Sequence, residues 1–541
     1  MRPVEQTWPE DLARNYQAKG YWRGETFPAL LRARAAAHPE RIALKGGGAS
    51  WSYVTLLQRA ERFGAGLLAL GLRPGDRVLV QMGNVPEFVE AVFGLFLAGL
   101  LPVYALPAHR KVELSHLLRT SEAAGIITER KIGGYDHAAL AWELADELPG
   151  LRHVVVSEPG RAGEGLSHVA GDAAVLPGDP DPQAVAFLQI SGGSTGLSKL
   201  IPRTHDDYIY SLRESARICG LHGQSVYMAV LPVAHNFTMS SPGWLGVFYA
   251  GGRVVLCPDP RPETSFAMVR DEGVTITALV PPLALRWLEA AEAETPDLPT
   301  LEVLQVGGAK FLPGAARRVR PALGCSLQQV FGMAEGLVNY TRLDDPEEAI
   351  VSTQGRPISP DDEIRVVDDE DRDVAPGGSG HLLTRGPYTI RAYHAAPEAN
   401  AKSFTVDGFY RTGDIVRRRE SGHLEVLGRA SDQINRAGEK ISAEEIEDHL
   451  IAHPDVLDAV VVSVPDPRHG ERTCAFVLPR EGAAPEARVL RSFMRGRDIA
   501  AFKIPDEIRL VSDLGTTAVG KISRRELRAQ LQAQASETEA T

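Results

Sequence analysis

From about Arg41 to about Val367, short apolar runs alternate with stretches of helical periodicity: Val78 to Gln81, then Glu87 to Ala98, then Leu101 to Leu106. Strand-length runs separated by helix-length ones predict largely parallel strands joined by crossover helices, an α/β architecture. In one unit of this kind, Ala184 to Ile190 reads as a buried strand and Ser191 to Lys199 as a polar, glycine-rich loop. Asp206 to Cys219 then reads as a helix, with Tyr208, Ile209, Leu212 and Ala216 at helical spacing.

After Gly380 the texture shifts to shorter strands and hairpins, with Gly408, Gly413 and Gly422 expected at the turns. The polar stretch Gly428 to Lys440 leads into a third pattern. There Ser442 and Glu445 form a capping box for a helix carrying Ile446 and Leu450, and strands follow at Ala459 to Val464 and Thr473 to Leu478. A chain of 541 residues also exceeds what one hydrophobic core serves. The expected fold is therefore a large, multi-subdomain α/β N-terminal domain, residues 1–430, and a small α+β C-terminal domain, residues 431–541. The polar tail after Leu531 is expected to fray.

With 44% hydrophobic and 24% charged residues the composition is that of a globular protein. A formal net charge of -12 without any excess of Lys and Arg argues against a general nucleic-acid binder, so a bound nucleotide would be a small one. Met1 to Pro9 has no basic-then-apolar leader, and the run from Phe93 to Leu106 is too short and proline-broken to span a bilayer, which makes the cytoplasm the expected location. Cys219, Cys257, Cys325 and Cys474 form no CxxC pair and suggest neither a zinc site nor a disulfide framework.

The segment Ser191-Gly192-Gly193-Ser194-Thr195-Gly196-Leu197-Ser198-Lys199 is expected between a strand and a helix, where small residues let backbone N–H groups approach phosphate oxygens. It is not a Walker loop, since no GxxxxGK[ST] aligns with it. Gly515 to Lys521 does match GxxxxGK, but Ile522 stands where a magnesium-binding hydroxyl belongs, and too few residues follow for a P-loop domain. Lys521 is thus read as a lysine of the small domain able to reach a site on the large one.

With Phe331-Gly332-Met333-Ala334-Glu335-Gly336, Tyr410-Arg411-Thr412-Gly413-Asp414, Gly428-Arg429, Gly438-Glu439-Lys440 and Gly520-Lys521 in order behind that loop, the chain resembles the adenylate-forming superfamily of acyl-CoA synthetases, peptide-synthetase adenylation domains and firefly luciferase. The resemblance spans nearly the whole chain. It implies ATP and Mg2+ as cofactors. Ser191, Gly192, Gly193, Ser194, Thr195, Gly196 and Lys199 would meet the phosphates. Adenine would lie against Phe331 near Gly308, Ala309 and Lys310, with Val330, Gly332, Met333 and Ala334 beside it. Glu335 would help bind magnesium, and Asp414, with Arg429 close by, would take the ribose hydroxyls. A carboxylate accepts two bonds from a diol, an aromatic face suits a purine, and a carboxylate oxygen suits a hard cation. Lys521 would offset the charge that builds as carboxylate attacks α-phosphate, and is the catalytic residue the resemblance implies. The superfamily rotates its small domain between half-reactions and admits a thiol along a path near Gly438. The pivot, usually Asp or Lys, is Ser431 here, or Asp432 if the alignment slips by one.

Ala234 to Gly243, Gln305 to Lys310 and Gln328 to Leu343 are similar to the aryl-acid branch, particularly its 2,3-dihydroxybenzoate-AMP ligases. By that resemblance Asn236 reads the 2-hydroxyl and carboxylate side of the ring, where an amide can donate and accept at once. Ser241 and Val338 would sit by the 3-position. Salicylate-selective relatives tend to carry Cys and Leu there, so Ser241 with Val338 favours the diol over salicylate, while 3-hydroxypicolinate-type acids, with a similar ortho arrangement, stay open as an alternative. Phe237, Met333, Ala334 and Val330 would be apolar walls, Gly308 would border the ring, and His235 would gate the pocket or pack beside it. The acceptor implied is the phosphopantetheine thiol of an aryl carrier protein supplied in trans, as in siderophore or other non-ribosomal peptide synthesis, with coenzyme A as the alternative. A non-catalytic nucleotide-binding scaffold would be expected to have lost Lys521, Glu335 or Asp414; all three are present.

Overall fold

The computed structural model describes residues 3–4, 8–157, 165–191, 198–436, 439–466, 470–497, 499–500, 503–515, 523–524 and 526–531. The alternating pattern folds into two sheets. One has six strands, in the order Leu200–Thr204, Val185–Ile190, Leu101–Tyr104, Arg77–Gln81, Gly125–Thr128 and His153–Val156. The other has nine, and within it Val226–Ala229, Ile276–Leu279, Val303–Gly307 and Ser326–Gly332 are successive parallel neighbours. The helix Pro86–Leu97 is buried at every position but Glu87, which accounts for the apolar run that marks it. A single core joins Phe27, Phe96 and Phe187 to Trp244 and Phe248, with the Phe27 and Phe96 rings stacked 4.6 Å apart.

The loop Ser191–Lys199 departs from expectation. A strand, Leu200–Thr204, follows it and pairs antiparallel with Val185–Ile190, so the loop joins two strands of a hairpin and the helix His205–Ile218 starts only after the second. Pro202 masks that strand in the sequence. It is tolerated because the strand lies at the sheet edge.

The antiparallel texture begins earlier than Gly380. Glu363–Val367 already belongs to a four-stranded sheet with Ser379–Arg385, Tyr410–Arg418 and Leu424–Arg429. Gly408 and Gly422 close turns onto Thr405 and Arg419. Gly413, by contrast, lies inside the strand Tyr410–Arg418 at φ +77°, a conformation that suits a glycine but marks no reversal of the chain.

The last sheet comprises Gln433–Arg436, Glu439–Ser442, Val456–Asp466, Gly470–Pro479 and Glu507–Leu510. Helices Ala443–Ile451 and Ala487–Arg495 supply Ile446, Leu450, Leu490 and Met494 to its core. The Ser442 hydroxyl caps its helix by accepting from the Glu445 N–H at 3.4 Å, while the Glu445 carboxylate pairs with Lys503 instead of closing the expected box. This sheet meets the rest of the molecule through Lys310 to Asp448 at 3.2 Å, Arg480 to Glu289 at 3.2 Å, and the Ser442 hydroxyl donating to Leu427 O at 2.8 Å. Among the described residues no helix is long and apolar enough to cross a membrane, and all four cysteines are buried and free.

Candidate active site

Open parallel sheets bind ligands beyond the carboxyl ends of their strands, and the candidate residues gather there. Val303–Gly307 and Ser326–Gly332 run side by side with Gly307 opposite Val330. A Cβ on Gly307 would stand 2.7 Å from Val330 O and 3.0 Å from Phe237 Cζ, so only glycine lets the Phe237 ring lie against this strand end. Gly308 follows at φ +85°, and Ala309 is exposed. Beyond Gly332 the chain turns through Met333–Gly336, with Met333 N donating to Leu337 O at 3.1 Å, and returns antiparallel so that Val338 pairs with Gly332. Phe237, Gly308, Val330 and Val338 therefore border one region. Lys310 is turned to its partner Asp448.

The segment expected to read the acid forms a short helix, Asn236–Ser240, capped by His235, whose Nδ1 accepts from the Phe237 N–H at 3.3 Å. The Tyr208 hydroxyl donates to Asn236 Oδ1 at 2.8 Å. One lone pair of the amide oxygen is thereby taken, which fixes the orientation of the amide and with it the direction of the NH2. Ser241, buried, follows at the helix end.

On the nucleotide side, Glu335 is buried and its Oε1 accepts from the Tyr393 hydroxyl at 2.9 Å. Tyr393 in turn lies 3.0 Å from the Tyr410 hydroxyl. Burial and the adjacent Glu335 charge push the Tyr393 phenol well up, so it stays a donor. The Lys199 ammonium lies 5.4 Å from the centre of the Tyr393 ring. The hairpin is closed at its base by Ser191 N to Lys199 O at 3.0 Å and Lys199 N to Ser191 Oγ at 2.9 Å. Asp414 is buried, stands opposite Arg429 in register, and meets the Arg429 guanidinium at 2.8 Å. Phe331 is half-buried, its carbonyl accepting from Asn339 Nδ2 at 3.0 Å.

Gly192, Gly193, Ser194, Thr195, Gly196, Gly438 and Lys521 lie outside the described residues. Ser431 is exposed in the single 3₁₀ turn Ala430–Asp432, and Asp432 pairs with Arg524 at 3.3 Å and Arg528 at 3.1 Å.

Other residues serve the site without any signal in the motifs. Arg203, almost wholly buried with its partner Asp207, donates to Ala334 O at 2.7 Å and Tyr388 O at 3.1 Å, tying the hairpin to the Met333–Gly336 turn. Tyr208 and Tyr393 fix Asn236 and Glu335. No cluster of three His, Cys, Asp or Glu that could hold a metal ion occurs among the described residues. Buried, oriented carboxylates, a half-buried aromatic ring and a glycine-lined strand end are groups whose chemistry suits a nucleotide beside a small acid.

The AMP-binding enzyme family matches residues 31–394, and the C-terminal domain of AMP-binding enzymes matches residues 445–521. The chain is 56% identical to 2,3-dihydroxybenzoate-AMP ligase of Bacillus subtilis (strain 168), over 96% of each chain. It is 50% identical to pyochelin synthase PchD of Pseudomonas aeruginosa (strain UCBPP-PA14), over 97% of this chain and 96% of that one. Among solved structures, the apo structure of MbtA from Mycobacterium smegmatis superposes with a TM-score of 0.76 at 45% identity, over 97% of this chain and 98% of that one. With a family match over more than half its length and near-complete alignment to such relatives, the chain belongs to the AMP-binding enzyme family and is an ATP-dependent acid–AMP ligase.

Proposed function

We propose that the chain adenylates 2,3-dihydroxybenzoate and passes the acyl group to the phosphopantetheine thiol of an aryl carrier protein, for a siderophore or related non-ribosomal peptide. The observation that carries this reading is the 56% identity to an enzyme named for that acid; Asn236 in its short helix, Ser241 at the end of that helix and Val338 at the start of its strand support it. In the first step a carboxylate oxygen of the acid bonds to the α-phosphorus of ATP, the bond to the bridging oxygen breaks, and pyrophosphate leaves. In the second the thiol sulfur bonds to the acyl carbon, AMP leaves, and the thiol proton passes to solvent.

Asn236, its oxygen held by Tyr208, donates its NH2 to the ortho-hydroxyl or carboxylate oxygen. Ser241 meets the 3-hydroxyl beside Val338, and Phe237 and Val330 wall the ring, with Gly308 and His235 at its edge. Asp414 takes the ribose diol. Lys521 neutralises charge between carboxylate and α-phosphate. Glu335 fits Mg2+, since a single buried carboxylate that completes its shell with phosphate oxygens and water is how that ion is usually held, and the ion would neutralise charge on the leaving pyrophosphate. The small domain, from residue 431 onward, pivots at Ser431 and opens a thiol path near Gly438. The enzyme works in the cytoplasm, where ATP is supplied.

The test is carboxylate-dependent exchange of labelled pyrophosphate into ATP with 2,3-dihydroxybenzoate, salicylate, 3-hydroxypicolinate and benzoate, on the wild type and Lys521→Ala. Fastest exchange with the dihydroxy acid, lost in the variant, is the expected result. Fastest exchange with another acid overturns the substrate, and none with any overturns the reaction.

A further inference from the structure

Behind Ser241 lies a group of hydroxyls that the reading above leaves without a role. Tyr340 stands two residues after Val338 in the strand Val338–Tyr340, and so faces the same side of the sheet. Ser215 stands seven residues after Tyr208 in the helix His205–Ile218, two turns along the face that presents Tyr208 to Asn236. The helix face thus meets Asn236 through Tyr208, and Tyr340 shares one hydrophobic core with Tyr208 and Phe237. The Tyr340 hydroxyl is approached by those of Ser215 and Ser241. Tyr340 Oη and Ser215 Oγ are fully buried, yet neither forms a hydrogen bond of ordinary geometry with any described residue. Below them the helix face continues to Cys219, which lies with Gln305 and Gln328 in a further buried polar set, Gln305 Nε2 donating to Gln328 Oε1 at 2.9 Å.

Hydroxyls buried without partners are costly and uncommon in a core, and each asks for an explanation. A hydroxyl proton rotates freely about its C–O bond, so one that lacks a fixed partner takes its direction from the next. Among the described residues, the hydroxyls that approach Tyr340 are those of the two serines. The Ser241 N–H donates to the Phe237 carbonyl at 3.3 Å, beside the region where Phe237, Val330 and Val338 gather.

We propose that Tyr340, backed by Ser215, is the positioning residue that sets the proton of Ser241 and with it the preference for a ring hydroxyl. Ser215 donates to Tyr340, Tyr340 donates to Ser241 Oγ, and the Ser241 proton is left to point into the pocket, where a 3-hydroxyl oxygen accepts it. An acid with hydrogen at that position leaves the end of this relay unpaired, which is how a polar site rejects an analogue that lacks the polar group. The inference rests on the proposed substrate.

Its test is the ratio of kcat/KM for 2,3-dihydroxybenzoate to that for salicylate in pyrophosphate exchange. The Tyr340→Phe variant removes a hydroxyl with no described partner, so its fold should survive. The ratio should fall about tenfold in it and by a smaller factor in Ser215→Ala. In a Ser241→Ala background, Tyr340→Phe should move the ratio less than about twofold, because the residue it acts through is gone. Equal loss with both acids, an unchanged ratio, or the same drop in the Ser241→Ala background overturns the inference while leaving the substrate intact. A wild type that shows no preference for the dihydroxy acid overturns the substrate reading, and the inference with it.

Discussion

Asn236 and Glu335 reach the site with one oxygen each already held by a tyrosine, and those tyrosines govern how the two side chains meet a ligand. Removing the Tyr208 hydroxyl frees the Asn236 amide to flip, so Tyr208→Phe should lower kcat/KM for ortho-hydroxy aryl acids about fivefold with the KM for ATP little changed, the effect of one lost hydrogen bond of about 1 kcal/mol. Pyrophosphate exchange measures both, and an equal rise in both KM values would deny Tyr208 this role. Tyr393→Phe releases Glu335 and should raise the Mg2+ concentration for half-maximal exchange about tenfold, as loss of an outer partner of a metal ligand does. A magnesium titration at saturating ATP and acid reads it, and an unmoved midpoint counts against a metal role for Glu335. The candidate residues could be named from the sequence because they sit in short contiguous motifs. Their tyrosines could not be. Tyr208 is 28 residues from Asn236 and Tyr393 is 58 from Glu335; the first reads only as one of the helically spaced positions of its helix, and the second lies in none of the motifs.

The elements were legible where one periodicity runs undisturbed, as in the helix Pro86–Leu97 and the strands Arg77–Gln81 and Val456–Asp466. They were hidden where a proline or a positive φ interrupts it, as at Pro202 and Gly413. The hairpin that Pro202 conceals matters to the site, because Arg203 within it holds the Met333–Gly336 turn. Arg203→Met leaves Asp207 buried without its counter-charge and takes a donor from the Ala334 and Tyr388 carbonyls. Breaking a buried pair from one side costs about 3–5 kcal/mol, and urea unfolding should show a loss of that order. Asp207→Asn keeps an oxygen to accept from the Thr204 N–H, which Asp207 does at 3.0 Å, so adding it should recover part of the loss. A single variant as stable as the wild type would mean the pair contributes little.

At the scale of the whole molecule, the boundary near Ser431 was expected from the polar, glycine-bearing stretch Gly428 to Lys440, and the last sheet starts with Gln433–Arg436. The division of the α/β strands between two sheets was not legible, since alternation alone does not say how many sheets share them. Nor does it say which titratable groups the packing encloses, and two of these set opposing limbs of stability against pH. His205 is enclosed with its Nδ1 accepting from the Phe27 N–H at 3.3 Å, and burial pushes its pKa down to about 3. The unfolded chain takes up this proton near pH 6.5 and the folded one does not, so stability falls as pH drops from about 6.5 toward 3. Asp362 accepts from the Tyr388 hydroxyl at 2.7 Å and the Ser359 N–H at 3.1 Å, while its Oδ1 is buried without a described partner. Burial raises this carboxyl to about 7 despite those bonds. Its contribution is whole below pH 3.8, the unfolded value, and is lost as pH rises through 7. Between about pH 4 and 6.5 the two slopes, each at most about 1.4 kcal/mol per pH unit, oppose one another. Asp362→Asn removes one of them. Urea unfolding at pH 4.5, 5.5, 6.5 and 7.5 should therefore find the variant gaining on the wild type at each step up to about pH 7 and parallel to it above. A stability difference constant across the series would mean that Asp362 ionises as readily in the folded protein as in the unfolded chain, and that the buried oxygen is reached by water.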